Sequence, residues 1–161
     1  MTRSTQVAAI ALGLAFVAAP GSAAPAAVPP ETSAGPDFLT RNAAAKGVVT
    51  TPSGLQYFVV VAGPPTGPHP TTQDTVTFDY EVKLLTGQVI DSSYSGGEPL
   101  TGKTGAFVPG FTEALELMRP GDEWIVWVPP QLGYGAKDVG PIPGNSVLRF
   151  KLALHSLVPA D

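Results

Sequence analysis

Cysteine is absent from the 161-residue sequence, and charged residues make up only 14% of it. The absence of cysteine excludes disulfide bonds, thiol catalysis and cysteine-ligated zinc or iron–sulfur sites. It also removes the residue to which a lipoprotein lipid is attached. The two histidines, His69 and His155, lie too far apart in the sequence to form a metal-ligand motif. We therefore expect no metal and no other cofactor.

A surplus of basic residues is also missing, because nine Lys and Arg residues stand against thirteen Asp and Glu residues. Nucleic acid selects a basic protein face, so we expect no nucleic acid partner. Glycine and proline, in contrast, occur 18 times each, well above their usual combined share of about 12%. This abundance argues against a mostly helical protein, and the 43% of hydrophobic residues argues against a disordered one.

The apolar run near the N-terminus, residues 7–19, is too short to span a membrane, which needs about 20 residues. It has the length of a signal-peptide core, about 7–15 residues. Pro20 and several small residues follow it and suit cleavage after Ala23. We therefore predict a signal peptide over residues 1–23, no stable membrane anchor and a mature chain that begins near Ala24. A buried core helix is the alternative.

Residues 24–47 are predicted to be a linker that includes a short helix. Residues 24–36 are rich in proline and alanine and offer few side chains to bury, which is typical of an extended tether. Asp37 is suited to cap a short helix, and Gly47 suits its C-terminal end. The folded domain is predicted to occupy residues 48–161.

Alternation of apolar and polar residues predicts four strands in this domain, at residues 55–61, 75–85, 123–128 and 147–157. A period of two places the apolar side chains on one face of each strand and the polar ones on the other. Strands that are half exposed to solvent favour an antiparallel sheet over a parallel one.

One helix is predicted in the domain, between two Pro-Gly pairs. Phe111, Ala114, Leu115 and Met118 follow the spacing i, i+3, i+4 and i+7 and form a single apolar stripe. A helix of about two turns is not stable alone and must be held by tertiary packing. The sequence therefore predicts an α+β fold in which an antiparallel β-sheet curls around one short α-helix.

Motifs of common hydrolases and nucleotide-binding enzymes are absent, since the chain has no GxSxG, HExxH, GxxxxGK[ST] or GxGxxG. His155, Asp79 and Glu81 lie on the polar faces of predicted strands and are interpreted as solvent-exposed. What remains is a set of aromatic and apolar residues at strand ends, loop edges and the helix face, with Asp91 directly after Ile90. Such a set forms either a plain hydrophobic core or an apolar binding site.

Eight motifs occur in an order that resembles the FKBP-type peptidyl-prolyl cis-trans isomerases. They are Phe-Asp-Tyr (78–80), LLTGQVIDSSY (84–94), Gly-Glu-Pro (97–99), FVPGFTEAL (107–115), MRPG (118–121), VPPQLGYG (128–135), IPGNS (142–146) and Leu-Arg-Phe (148–150). The lead-in GVVTTPSGLQY (47–57) is similar to that of secreted bacterial members. The resemblance implies the FKBP-like form of the fold described above.

The resemblance also implies which residues form the functional site. The implied catalytic residues are Asp91, Tyr80, Tyr134 and Phe150. The implied substrate-binding residues are Ile90, Leu100, Phe107, Val108, Phe111 and Ile142. Three of them depart from the family pattern, which usually has phenylalanine at Ile90, often phenylalanine at Leu100 and tryptophan at Phe111.

The function implied by the resemblance is rotation of X–Pro peptide bonds in exported proteins as they fold. The implied partners are unfolded or proline-containing polypeptides, and macrolide inhibitors with reduced affinity because the pocket has less aromatic area. With the signal peptide, the likeness favours the periplasm, and the short N-terminal arm favours a monomer. The alternative is a periplasmic chaperone that binds polypeptides through the same pocket with weak or no isomerase activity.

Overall fold

A computed structural model of the protein describes residues 37–161. The predicted signal peptide and the Pro/Ala-rich residues 24–36 lie outside this range. The helices are α1 (Phe38–Ala43), α2 (Ser93–Gly96) and α3 (Pro109–Leu117). The strands are β1 (Val48–Thr50), β2 (Gln56–Val61), β3 (Thr75–Leu84), β4 (Val89–Ser92), β5 (Leu100–Lys103), β6 (Glu123–Val128) and β7 (Leu148–Val158).

All seven strands belong to one antiparallel sheet with the order β1-β2-β6-β7-β3-β4, and β5 pairs with β3. One edge of β3 pairs with β7 along its whole length. The other edge is divided, because β5 pairs with residues 75–78 and β4 pairs with residues 81–83. The antiparallel sheet and its four predicted strands are confirmed, with boundaries that differ by no more than one residue.

The sheet curls around α3, as the apolar stripe predicted. Phe111 is 4% exposed, and Ala114, Leu115 and Met118 are fully buried against the inner face of the sheet. Inward residues of β3, β6 and β7 complete this main core. The inner face therefore both buries the helix and surrounds its first turn, where the candidate site lies.

A second, smaller core covers the outer face of the sheet. Phe38 of α1 packs on Trp127, with 6.3 Å between ring centroids, and Phe58 and Ile125 are buried with them. Gln56 fixes the helix by two hydrogen bonds. Its Nε2 donates to the Leu39 carbonyl at 2.8 Å, and its Oε1 accepts from the Asn42 amide at 2.9 Å. α1 is thus fixed to the sheet by apolar contacts and by buried polar ones.

Local details of α1 differ from the sequence-based expectation. Asp37 stands at the N-cap position without a side-chain capping bond, and the helix ends at Ala43, before Gly47. The structure also contains elements that the sequence pattern does not predict, namely β1, β4, β5 and the one-turn helix α2. Each is only three or four residues long, which is too short for a period of two or 3.6 to be recognised.

Candidate functional site

The floor of the candidate site is the first turn of α3. Pro109 begins the helix, where a missing N–H costs nothing and the fixed φ favours the helical conformation. Two residues later, Phe111 faces the sheet. Its ring centroid lies 4.9 Å from that of Phe107, 5.1 Å from that of Phe150 and 5.3 Å from that of Phe78. These tilted and edge-on contacts are the geometries that aromatic pairs prefer.

The walls of the site are residues of the inner sheet face. Phe78, Tyr80 and Val82 share this face because successive side chains of a strand alternate in direction. Phe150 of β7 is paired directly with Val82. The strand pairing therefore brings apolar side chains from both strands around the ring of Phe111.

Strand β4 contributes two consecutive residues, Ile90 and Asp91, to the same cavity. In a regular strand they would point to opposite faces. The pairing with β3 shifts between Val82↔Asp91 and Lys83↔Val89, so Ile90 is the extra residue of a β-bulge. Bulges re-aim side chains and are frequent beside functional sites. Here the bulge places an aliphatic group and a carboxylate side by side.

The carboxylate of Asp91 is held in one orientation. Its Oδ2 accepts a hydrogen bond from the Tyr80 hydroxyl at 2.5 Å, and its Oδ1 accepts from the Ser92 N–H at 2.8 Å. Burial, and then the hydrogen bond and charge of Asp91, raise the pKa of Tyr80 to about 12. Tyr80 therefore stays a hydrogen-bond donor throughout the physiological pH range.

We expect Tyr80 to resist ionisation up to about pH 12, because its pKa is raised in the folded state. The contribution of neutral Tyr80 to the stability of the folded protein is fully present below about pH 10, the pKa of free tyrosine. It is lost as the pH rises towards 12. NMR of protein with 13C-labelled tyrosine should show the Tyr80 Cζ resonance unmoved from about pH 9 to 11. Asp91→Asn should lower its titration midpoint; an unchanged midpoint would mean that the Asp91 charge does not act on Tyr80.

The mouth of the site is bounded by the loop of residues 135–145. Its tip is a tight turn in which Val139 and Ile142 exchange two backbone hydrogen bonds of 2.9 Å. The Asn145 N–H closes the base of the loop by donating to the Gly135 carbonyl at 2.7 Å. Ile142 is only 6% exposed although the residues around it are open to solvent. The loop therefore inserts one apolar side chain into the cavity.

The structure brings all ten site residues of the sequence analysis around one cavity of about 360 Å³. They are Tyr80, Ile90, Asp91, Leu100, Phe107, Val108, Phe111, Tyr134, Ile142 and Phe150. Sequence reasoning missed three further lining residues, Phe78, Val82 and Ala106. For Phe78 and Val82 the signal was present, because they alternate in step with Tyr80 on β3. Ala106 lies in a short 3₁₀ turn without periodicity.

The chemistry available in the cavity is apolar enclosure with a few directed polar groups. Aromatic and aliphatic side chains supply the floor and walls, and Asp91 with the two tyrosine hydroxyls supplies polarity at the rim. Among residues 37–161, no three His, Asp or Glu side chains cluster in a way that could hold a metal ion. In the same range, no helix is long and apolar enough to cross a membrane.

Sequence comparison identifies the family of this fold and cavity. The model of the FKBP-type peptidyl-prolyl cis-trans isomerases matches residues 67–155. This chain belongs to that family. A second model, the domain amino terminal to FKBP-type peptidyl-prolyl isomerases, matches residues 21–59. In the structure this second match includes α1, β1 and most of β2.

Several bacterial proteins are similar to the chain. The outer membrane protein MIP of Legionella longbeachae is 45% identical over 127 residues, which cover 78% of this chain and 54% of that protein. The FKBP-type isomerase FkpA of Escherichia coli K12 is 39% identical over 126 residues, which cover 78% of this chain and 46% of FkpA. The chain thus spans about half the length of the curated relatives that it matches.

Two solved bacterial structures share the fold. The crystal structure of Escherichia coli FkpA superposes with a TM-score of 0.73 at 38% identity, covering 78% of this chain and 58% of that one. A peptidyl-prolyl cis-trans isomerase from Pseudomonas syringae pv. tomato superposes with a TM-score of 0.69 at 27% identity, covering 76% and 89%. The FKBP-like fold expected from the sequence is confirmed.

Proposed function

We propose that this protein is a peptidyl-prolyl cis-trans isomerase that accelerates rotation about X–Pro bonds in exported polypeptides as they fold. One observation carries the proposal. A cavity floored and walled by phenylalanine rings has at its rim a single carboxylate, Asp91, fixed by Tyr80. An apolar cavity of this kind accepts a proline ring, and the oriented polar groups are placed to act on the adjoining amide.

The energetic argument starts from the planar amide. Resonance gives the peptide bond a rotational barrier of roughly 18–20 kcal/mol. The twisted transition state has lost that resonance, so its carbonyl is less polar than that of the planar form. Water stabilises the planar, polar form, whereas an apolar cavity favours the twisted one. Lowering the barrier by about 7 kcal/mol would accelerate rotation roughly 10⁵-fold.

Each part of the cavity has a proposed role. Phe111 lies under the proline ring, and Phe150 and Phe107 bound it at the sides. The hydroxyl of Tyr134 and the N–H of Val108 hold the substrate backbone. Within residues 37–161 the Val108 carbonyl accepts bonds from α3, while its N–H has no partner. The remaining apolar residues at the rim, Ile90, Leu100 and Ile142, contact the residue that precedes proline.

The decisive experiment is a protease-coupled assay on a peptide with one cis X–Pro bond. We expect catalysed isomerisation in proportion to the concentration of the purified mature protein. A protein that binds the peptide without raising the isomerisation rate would support the second candidate function, a polypeptide-binding chaperone. That candidate is favoured by the exposed apolar rim, where Leu100 is 39%, Tyr134 42% and Val139 40% exposed.

Asp91→Ala tests the balance between the polar group and the apolar cavity. We expect kcat/KM to fall about tenfold, which is about 1.4 kcal/mol of transition-state stabilisation. The melting temperature should change little, because Asp91 is exposed and Tyr80 can bond to water. Asp91→Asn is the matched control, since it keeps an acceptor for the Tyr80 hydroxyl. A thousandfold loss in a folded protein would show that the carboxylate, not the cavity, dominates.

We further propose that the protein acts in the periplasm as a monomer and binds macrolide inhibitors weakly. Isoleucine at position 90 and phenylalanine at position 111 give the cavity less aromatic area than phenylalanine and tryptophan would. Export is tested by the mass of the periplasmic protein, which should correspond to a chain that begins near Ala24. Light scattering measures the oligomeric state, and macrolide titration measures the affinity.

A further inference from the structure

Strand β3 has a gap in its pairing directly behind the candidate site. Its outer edge is covered by β5 up to Phe78 and by β4 from Glu81 onward, so Asp79 and Tyr80 have no strand beside them on that edge. A buried backbone N–H without a partner is strongly unfavourable. Here the Tyr80 N–H donates to the Ser93 Oγ at 3.0 Å. A serine hydroxyl thus takes the place of the missing strand.

The hydroxyl of Ser93 both accepts and donates a hydrogen bond. While its Oγ accepts from the Tyr80 N–H, it donates to the Asp79 Oδ1 at 2.7 Å. The other carboxylate oxygen of Asp79, Oδ2, lies 2.8 Å from the His155 Nε2. We call these three side chains, Ser93, Asp79 and His155, the polar brace. Ser93 is 9% exposed, so its bonds are shielded from competing water.

His155 reaches the brace because of a second irregularity in the sheet. The β3–β7 pairing shifts between Thr77↔Ser156 and Phe78↔Leu154, so His155 is the extra residue of a bulge. The sequence pattern alone indicates that His155 and Asp79 are solvent-exposed. The structure leaves His155 exposed, as expected, but it joins His155 to Asp79 and leaves only 18% of the Asp79 side chain exposed. The hydrogen bond from Ser93, and then His155, lower the pKa of Asp79, so it is a carboxylate at neutral pH.

The brace adjoins Tyr80 and Asp91 along the chain. Asp79 precedes Tyr80, and Ser93 follows Asp91 by two residues. Neighbouring residues of a strand point to opposite faces, so the brace lies on the outer face while Tyr80 points into the cavity. Fixing Ser93 to β3 therefore fixes the backbone of both segments that carry the 2.5 Å Tyr80–Asp91 bond.

We propose that the polar brace is a positioning network that sets the Tyr80–Asp91 pair for X–Pro rotation. This inference rests on the isomerase activity proposed above and adds three residues that act through others. They touch no substrate, because the brace and the cavity lie on opposite faces of the sheet. Other charged or titratable groups near the brace are Glu81, Lys151, Glu123 and Tyr94, of which Lys151 lies over the Tyr94 ring at 5.2 Å.

The test compares Ser93→Ala with Ser95→Ala, a matched control at an exposed position of the same helix, α2. We expect Ser93→Ala to lower kcat/KM for a prolyl peptide about fivefold at an unchanged peptide Kd, and Ser95→Ala to leave both unchanged. Ser93→Thr, which restores a hydroxyl, should recover most of the loss. Asp79→Asn, which keeps an acceptor for Ser93, provides a milder variant should Ser93→Ala fail to fold.

Two further readouts separate positioning from mere structural support. In an Asp91→Ala background, Ser93→Ala should lower kcat/KM no further, because both changes remove the same pair. NMR at neutral pH should show faster exchange of the Tyr80 hydroxyl proton in Ser93→Ala. Additive losses, or an unchanged Tyr80 proton, would overturn the inference.

The same readouts distinguish this inference from the proposed function. If the unmodified protein has no isomerase activity, the proposed function fails, and the Tyr80 hydroxyl proton still shows whether the brace positions the pair. If the unmodified protein is active and a folded Ser93→Ala variant is equally active, only the positioning role is wrong.

Discussion

Replacing Gly144 by alanine is expected to lower kcat/KM for a prolyl peptide by at least tenfold. A Cβ at this position would overlap the backbone carbonyl of Ala136 and would lie 3.4 Å from the Asp138 Oδ1. That carboxylate oxygen now accepts the Gly144 N–H at 2.7 Å. Because the clash involves backbone on both sides, the base of the loop must open, and Ile142 must move out of the cavity.

The loss of stability in Gly144→Ala should be moderate. Ile142 is the one buried side chain between residues 135 and 146, so displacing the loop exposes little apolar surface. We expect a loss of no more than about 2 kcal/mol, measured by urea denaturation.

Two glycines serve as controls for this change. Gly140, at the tip of the same loop, has open space where a Cβ would lie but a φ of +53°, so its alanine variant tests backbone strain without the clash. Gly96 in α2 has neither a clash nor a positive φ, and its alanine variant should be neutral. Equal activity in Gly144→Ala and Gly96→Ala would show that Ile142 is dispensable.

Phe78→Ala is expected to lower the free energy of unfolding by about 3–5 kcal/mol, as for deletion of a fully buried aromatic side chain. Phe78 is fully buried. Its ring centroid lies 5.3 Å from that of Phe111, 5.4 Å from that of Phe107 and 6.0 Å from that of Tyr80. Its removal leaves a void that three other rings border. Urea denaturation monitored by circular dichroism measures the loss.

Phe107→Ala is the matched control for Phe78→Ala. The Phe107 ring is only partly buried and lines the same cavity. We expect Phe107→Ala to lower the free energy of unfolding by about 1–2 kcal/mol while it lowers kcat/KM more than Asp91→Ala does. Equal stability losses in the two variants would mean that Phe78 supports the cavity no more than a rim residue does.

Periodicity predicted the strands and the helix that bury only one face, because one-sided burial leaves a regular spacing of apolar residues in the sequence. β3, β7 and the stripe of α3 are of this kind. β6 is predicted from Trp124, Val126 and Val128, but its other face is buried as well. Ile125 and Trp127 lie under α1. The nearly continuous apolar run of β6 indicated that both of its faces are buried. The run alone could not indicate which element covers the outer face.

The candidate site was likewise predicted only in part. The ten residues expected around the cavity were predicted from the resemblance of ordered motifs to a family. Periodicity could not predict them, because residues from several strands and loops meet there without any shared local pattern. The polar brace could not be predicted from the sequence, because it depends on two bulges, at Ile90 and His155. A bulge shifts the register by one residue, and neither local propensity nor alternation marks where the shift occurs.

The anchoring of α1 to the outer face has a practical consequence for immobilising or fusing the protein. α1 begins at Phe38 on the face opposite the cavity, and Gln56 fixes it there through the Leu39 carbonyl. A surface, bead or fused domain attached directly to the start of α1 would therefore lie against the outer face of the sheet. The open cavity then faces away from the attachment point and stays accessible to a polypeptide in solution.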